Sequence, residues 1–285
     1  MKKIDIKISS KKFISIYYNP EIIPKASIIY FHGGGLIYGN RNDLPKYHLE
    51  KFIQSGYIIF ALDYPLAPAN KIDYILQDCL SSIDYYIDNI SLITKQIYNV
   101  KIFLNFFLFG RSAGGYLVNL ISSRLNEHQL SHLNGMILYY SYGLLDKSWY
   151  EQPSNFYNKL PQVNIDIEKF TNDYTFVGDL KIRYPLYVYA RQNGLWKNLI
   201  YSGRDKFFYK DYSLLLIESL PKPIFITHSI SDPDVPFSEF LAFTNKYKST
   251  KYIVNTNDHD FDRDTKSSFT KELISETIKF LNDNI

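Results

Sequence analysis

The sequence predicts an α/β protein in which a mostly parallel central sheet carries helices on both faces and holds one long insertion. Three observations lead there. Strand-like and helix-like segments alternate along the chain. Several strand-like runs are apolar without interruption, as in sheets covered on both faces. The alternation fails over residues 142–220 and then resumes, which marks an insertion longer than an ordinary connection.

The elements follow in order. Residues 4–8 and 13–18 alternate apolar with polar side chains and read as an opening antiparallel hairpin. Residues 26–31 form a short apolar run, a buried strand. Residues 43–54 have helical spacing, closed by Gly56. Residues 57–62 are the next buried strand. Residues 73–90 place Ile75, Leu76, Cys79, Leu80, Ile83 and Ile87 on one helical stripe. Residues 102–109 read as a central strand, 113–125 as a helix and 136–141 as a strand. Beyond the insertion, 223–228 and 251–255 are strands and 265–281 a closing amphipathic helix. No repeat and no Gly/Ser/Pro linker divides the chain. One domain over 1–285 is therefore expected, with the insertion at about 142–220 acting as a cap or lid. At 285 residues it can bury a core that needs no disulfide or metal.

Composition narrows the function classes. The net charge is +3 and the lysines are scattered, which argues against nucleic acid as a partner. The single cysteine, Cys79, cannot pair within the chain, which fits a reducing compartment, and it sits on an apolar helical stripe as a small buried hydrophobe. Asp5 and Lys7 interrupt any signal-peptide core. No apolar run reaches the roughly 20 residues of a membrane helix. A cytoplasmic protein is expected. The 26 tyrosines and 20 phenylalanines accompany many Ile, Lys and Asn and fit a compositional bias of the genome.

The strongest local signal is Gly110-Arg111-Ser112-Ala113-Gly114-Gly115, a G-x-S-x-G between a buried strand and a helix. A tight strand-to-helix turn lifts a serine oxygen clear of the backbone, and glycines two residues either side leave room for it. The following helix N-terminus favours developing negative charge. Upstream, His32-Gly33-Gly34-Gly35 follows a strand, where three glycines let backbone amides reach a ligand. Acyl transfer needs such donors for its oxyanion, and the expected ones are the amides of Gly34, Gly35 and Ala113. His32 is read as an anchor of that loop. No Lys-Ser/Thr pair follows the glycines, which weakens a phosphate-cradling reading.

A serine presented on such a turn takes its partners in the chain order nucleophile, acid, histidine. Of the six histidines, His259 follows the last strand in Asp258-His259-Asp260-Phe261, where a base can reach back to Ser112. His228 ends the preceding strand, ahead of the acid, and is read as structural. The acid should follow 223–228, in Ser231-Asp232-Pro233-Asp234-Val235-Pro236. Asp232 is nearer the strand and Pro233 stiffens its turn; Asp234 is the runner-up. Asp258 and Asp260 are read as solvent-facing, and Asp146 is a more distant candidate. Ser112 would attack an ester carbonyl, His259 would shuttle its proton and Asp232 would orient the imidazole.

With these motifs in place the sequence resembles the HGGG-type esterases and lipases, the hormone-sensitive-lipase-like carboxylesterases of the α/β-hydrolase fold. The matching pieces are His32–Gly35, Asp63-Tyr64-Pro65-Leu66-Ala67-Pro68, Gly110–Gly115, Asp232–Pro236 and His259–Phe261, laid out over roughly residues 26–285. The resemblance implies a capped hydrolase that cleaves esters, often short-chain ones, without metal or cofactor. It favours Asp232, since the family places its acid first in a similar D-x-x-V-P turn. Three positions depart from the family. Pro65 stands where arginine is usual, so an internal ion pair should be lost. Arg111 precedes the serine where aspartate is common, and Leu36 replaces an aromatic residue. Asp63 and Tyr64 are read as structural.

The same three side chains also suit an amidase, a peptidase or an acyltransferase, and a second class is a non-catalytic small-molecule-binding protein on this fold. All three candidate side chains are present, which favours the enzyme. A lipid-surface lipase lacks support from any long exposed apolar helix; Phe237 and Phe240 read as helix packing. The aromatic residues of the insertion, Tyr184, Tyr187, Tyr189, Trp196, Tyr201, Phe207 and Phe208, would either line an acyl pocket or pack the cap itself.

Overall fold

The computed structural model describes residues 1–145 and 148–285, so the candidate Asp146 lies outside the described residues. Eight strands form one sheet: β1 (Lys2–Lys7), β2 (Phe13–Tyr18), β3 (Ala26–Phe31), β4 (Tyr57–Leu62), β5 (Phe106–Arg111), β6 (Leu133–Tyr139), β7 (Ile224–Ser229) and β8 (Thr250–Val254). Their spatial order is β1-β2-β4-β3-β5-β6-β7-β8. The β1–β2 and β2–β4 pairs are antiparallel and every later pair is parallel. This is the α/β-hydrolase fold.

Strands β3, β4, β5 and β7 are buried at every position, which explains why their sequences are mostly apolar. One face carries the helices Ile72–Tyr98, Ala113–Ser122 and Phe237–Lys246, through residues such as Ile83, Leu117 and Phe240. The other carries Lys46–Gln54 and Ser268–Asn282, through Phe52, Leu273 and Phe280. Cys79 lies in the first core with its thiol raised well above its usual range by burial. Phe237 and Phe240 stack on each other at 5.1 Å, the helix packing read from the sequence.

Several boundaries differ from the sequence reading, each for a visible reason. The second helix runs on from Ile90 to Tyr98, because Ile93 still faces the core and only the left-handed Asn99 ends it. The central strand begins at Phe106 rather than Ile102: Thr94 takes up the Ile102 amide and carbonyl, and Tyr86 the Leu104 carbonyl. Strand β6 stops at Tyr139 because Tyr140 turns to φ +39°. The first helix starts after Pro45, not at Asp43, whose carboxylate instead accepts from Tyr30.

Between β6 and β7 the chain leaves the sheet and folds over its carboxyl edge. The main element there, the helix Leu180–Asn193, is absent from the periodicity because Pro185 lies inside it. Its ends are capped in ordinary ways: the Asp179 side chain accepts from the Lys181 amide, and Gly194 closes it at φ +66°. Buried Arg183 donates to the carbonyls of Ile37 and Ala67 at 2.8 Å each, and Trp196 Nε1 donates to the Gly35 carbonyl at 2.9 Å. The inserted segment is thereby tied directly to the loops after β3 and β4.

Candidate active site

All the sequence-predicted groups sit beyond the carboxyl ends of parallel strands, where open α/β sheets bind ligands. Ser112 follows β5, His32–Gly35 follow β3, Asp232 follows β7 and His259 follows β8. Ser112 is the turn residue at φ +52°, a strained value for a side-chain-bearing residue. A Cβ on Gly110 would fall on the Gly114 carbonyl, and one on Gly114 on the Phe31 carbonyl. The spacing of the glycines is thus a packing requirement.

The three side chains meet in one hydrogen-bonded chain. His259 Nε2 lies 2.8 Å from Ser112 Oγ, and His259 Nδ1 lies 2.7 Å from Asp232 Oδ2. Asp232 Oδ1 accepts from the amides of Asp234 and Val235 at 2.8 and 2.9 Å, which orients its other oxygen toward the imidazole. Burial opposes ionising Asp232, but the His259 charge and hydrogen bond, with the Val235 amide, hold its carboxyl below the usual range. Burial likewise works against protonating His259. Asp232, with Asp234 and Asp260 farther out, outweighs it and pushes the imidazole up to about 9.

Asp234 is occupied elsewhere. Its carboxylate accepts from Tyr187 Oη at 2.7 Å and pairs with Arg191 Nε at 3.1 Å, both on the helix Leu180–Asn193. Asp258 is exposed, whereas Asp260 pairs with Arg263 and is only partly exposed. His228 is buried, its Nε2 donating to the Val235 carbonyl at 2.9 Å while burial lowers its pKa.

Gly33, Gly34 and Gly35 line the cleft with Ser112. Gly34 has φ +102°, and a Cβ there would strike the Tyr38 carbonyl. Among the described residues, no hydrogen bond engages the amides of Gly34 or Gly35. Ala113 is buried directly behind Ser112 as the first residue of its helix, where the amide has no intrahelical partner. His32 anchors the loop. Its Nδ1 bonds the Gly33 carbonyl at 2.7 Å, its ring stacks on Tyr64 at 4.2 Å, and Tyr64 Oη donates to the His32 carbonyl at 2.8 Å. The ion pair expected to be lost with Pro65 has a counterpart: buried Asp63 pairs with Arg41 and accepts its amide at 2.9 Å.

The sequence reading left Arg111 without a role. It is 1% exposed. Its Nη2 donates to Asp262 Oδ1 at 2.8 Å and its Nε to Tyr140 Oη at 2.6 Å. Tyr140 also donates to Asp262 at 2.7 Å, and His48 Nε2 closes the carboxylate's other side at 2.9 Å. The Tyr140 ring stands edge-on to His259 at 4.7 Å. Burial alone would raise the Asp262 pKa, yet the Arg111 charge and the bonds from His48 and Arg111 hold it well below the carboxylate range. Asp262, Tyr140 and His48 carry no motif signal; only the closeness of Asp262 to His259 in sequence hints at them.

The cleft holds about 730 Å³. Phe156, Tyr157, Leu180, Tyr184 and Tyr187 from the inserted segment face it with Tyr38; Asn40, Asp43, Asp258, Asp260 and Arg263 line it too. Of the aromatic residues named from the sequence, Tyr184 and Tyr187 reach the cleft. Trp196 and Phe208 are buried in the core with Tyr201 packed against it, and Phe207 is exposed. Tyr189 is half-buried and off the cleft. Among the described residues no cluster of His, Cys, Asp or Glu is arranged to hold a metal, and no helix is long and apolar enough to cross a membrane.

Comparison with known proteins agrees with this architecture. Residues 28–212 match a family described by its alpha/beta hydrolase fold. An alpha/beta hydrolase superfamily protein from Enterococcus faecalis is 29% identical, with a TM-score of 0.80 over 99% of each chain. A protein of unknown function from Staphylococcus aureus is 28% identical, with a TM-score of 0.80 over 100% of this chain and 99% of that one. A fungal esterase from Rhizomucor miehei shares the fold at 17% identity, with a TM-score of 0.71 over 99% of this chain and 83% of its own. The chain belongs to the α/β-hydrolase family that contains the hormone-sensitive-lipase-like carboxylesterases.

Proposed function

We propose that the protein is a serine hydrolase that cleaves small carboxylic esters through an acyl-enzyme on Ser112. The observation that carries this reading is the unbroken chain from Ser112 Oγ through His259 to Asp232, with contacts of 2.8 and 2.7 Å. A serine hydroxyl is a weak nucleophile until a base removes its proton as it attacks. Neutral His259 takes that proton at Nε2, Asp232 stabilises the imidazolium, and the proton passes to the departing alcohol. Water activated by the same imidazole then splits the acyl-enzyme and regenerates Ser112. The amides of Gly34, Gly35 and Ala113 serve as the oxyanion donors, each removal of such a donor costing about 10²–10³ in kcat. The inserted segment over the sheet edge acts as the cap, and no metal or organic cofactor enters the scheme.

The test is hydrolysis of p-nitrophenyl esters from acetate to decanoate by wild type and Ser112→Ala, with fluorophosphonate labelling alongside. Ester cleavage and labelling that both disappear in the variant support the reading. A wild type that neither cleaves any ester nor labels would overturn it, leaving a narrow amidase or a binding protein on this fold.

A further inference from the structure

The cap side of the cleft holds more hydroxyl groups than its hydrogen bonds use. Tyr157 lines the cleft and is 5% exposed as a whole; its hydroxyl makes no hydrogen bond to another described residue and is open to the cleft rather than sealed in the core. The same holds for the hydroxyls of Tyr38 and Tyr184 on the same wall. Tyr187 differs, since its hydroxyl is committed to Asp234. The rings fix one another edge to face: Tyr38 with Tyr184 at 5.4 Å, Tyr38 with Tyr187 at 5.6 Å, and Tyr157 with Tyr187 at 5.7 Å. Packing therefore sets where the hydroxyls stand. Each such hydroxyl meets water while the cleft is empty, and a ligand oxygen that takes the water's place keeps a hydrogen bond that an apolar ligand would lose.

The charge on this wall is cancelled. Asp234 is paired with Arg191, and the flanking lining residues Phe156 and Leu180 are apolar. An anion would find no free cation on this wall, and elsewhere in the cleft Asp258 is exposed while Arg263 is paired. A linear alkyl chain would cover the rings and leave the Tyr157 hydroxyl dry. Flat ring faces with fixed neutral donors suit a flat partner that carries oxygen.

Deepening the serine-hydrolase reading on which it rests, we propose that this tyrosine wall recognises a neutral, oxygen-substituted aromatic group on one side of the ester. The ring lies against the tyrosine faces and its hydroxyl or alkoxyl oxygen bonds to Tyr157, with Tyr38 and Tyr184 as neighbouring partners.

Two substrate pairs matched in reactivity test it with the ring on either side of the ester. They are methyl 4-hydroxyphenylacetate against methyl phenylacetate, and 2-(4-hydroxyphenyl)ethyl acetate against 2-phenylethyl acetate. In at least one pair the hydroxylated member should be favoured in kcat/KM by about 2- to 10-fold, the net worth of one hydrogen bond between neutral groups. In Tyr157→Phe, which keeps the ring packing, that ratio should fall toward one. Ratios near one in both wild-type pairs, or a ratio that survives Phe at 38, 157 and 184 together, would overturn the inference. Should p-nitrophenyl acetate still be cleaved in a Ser112-dependent way, the hydrolase reading stands without it. Binding of 2-(4-hydroxyphenyl)ethanol against 2-phenylethanol to Ser112→Ala, followed by calorimetry, repeats the comparison without turnover. Equal affinities there count against the wall even if the catalytic reading fails.

Discussion

Two regions meet at Ser112 and are built by opposite rules. Behind the serine, Arg111, Asp262, His48 and Tyr140 form a buried polar cluster in which the Asp262 carboxylate accepts from all three neighbours. In front of it, the tyrosine wall built by the inserted segment and Tyr38 is fixed by ring packing, with hydroxyls left open toward the cleft. The first region suits chemistry that must not move, because a satisfied polar network in low dielectric has one good arrangement. The second suits recognition, because open donors gain a partner only when a ligand arrives. On the proposed reading, the difference separates what would turn an ester over from what would choose it.

The sharpest way to probe that division is to remove the nucleophile. Ser112→Ala should lower kcat by about 10⁶ while the thermal midpoint stays in place, as read by ester kinetics beside calorimetry. Asp232→Asn should follow with a loss of about 10⁴ in kcat, because the amide holds the wrong imidazole tautomer. If Asp234→Asn costs as much as Asp232→Asn, the acid has been assigned to the wrong carboxylate.

Arg111→Met tests the region behind the serine. It strands a buried Asp262 without its cation, which should cost about 3–5 kcal/mol of stability and lower Tm by about 10 °C. Combining it with Asp262→Leu should restore only part of that stability, since no charge is stranded but Tyr140 and His48 lose their acceptor. A Tm unchanged in Arg111→Met would show that the cluster bears little of the fold.

The smallest effect is on pH dependence. His259 must be neutral to accept the Ser112 proton, and Asp232 with its acidic neighbours raises its pKa to about 9. Below that pH the imidazole is charged, so kcat/KM should climb with pH toward a limb near 9. Asp260→Asn removes one of the raising charges and should move the limb to lower pH. The folded pKa lies above the ordinary imidazole value of about 6.5, so the stabilisation from this pair is complete below that value. It fades as pH rises through about 9, which urea titrations across that range would detect.

Local sequence was sufficient wherever local geometry made the demand. The strand–Gly-x-Ser-x-Gly–helix turn, the glycine run after β3 and a histidine after the last strand each carry a steric or positional requirement that a linear pattern displays. Strands β3 and β4 were legible to the residue, because burial on both faces demands unbroken apolar runs. The helix Leu180–Asn193 was not, since Pro185 disturbs its pattern and much of its hold on the core comes from the buried polar contacts of Arg183 and Arg191. Only the tertiary structure gave Arg111 its partners. Asp43, Tyr140 and Asp262 lie 68, 29 and 151 residues away in sequence, and no periodicity links them. The sequence already favoured Asp232 over Asp234, and the tertiary structure adds where each carboxylate goes, Asp234 to Tyr187 and Arg191 of the inserted segment and Asp232 to His259. Sequence sets which groups are available and which turns they occupy; burial and long-range pairing decide which of them meet.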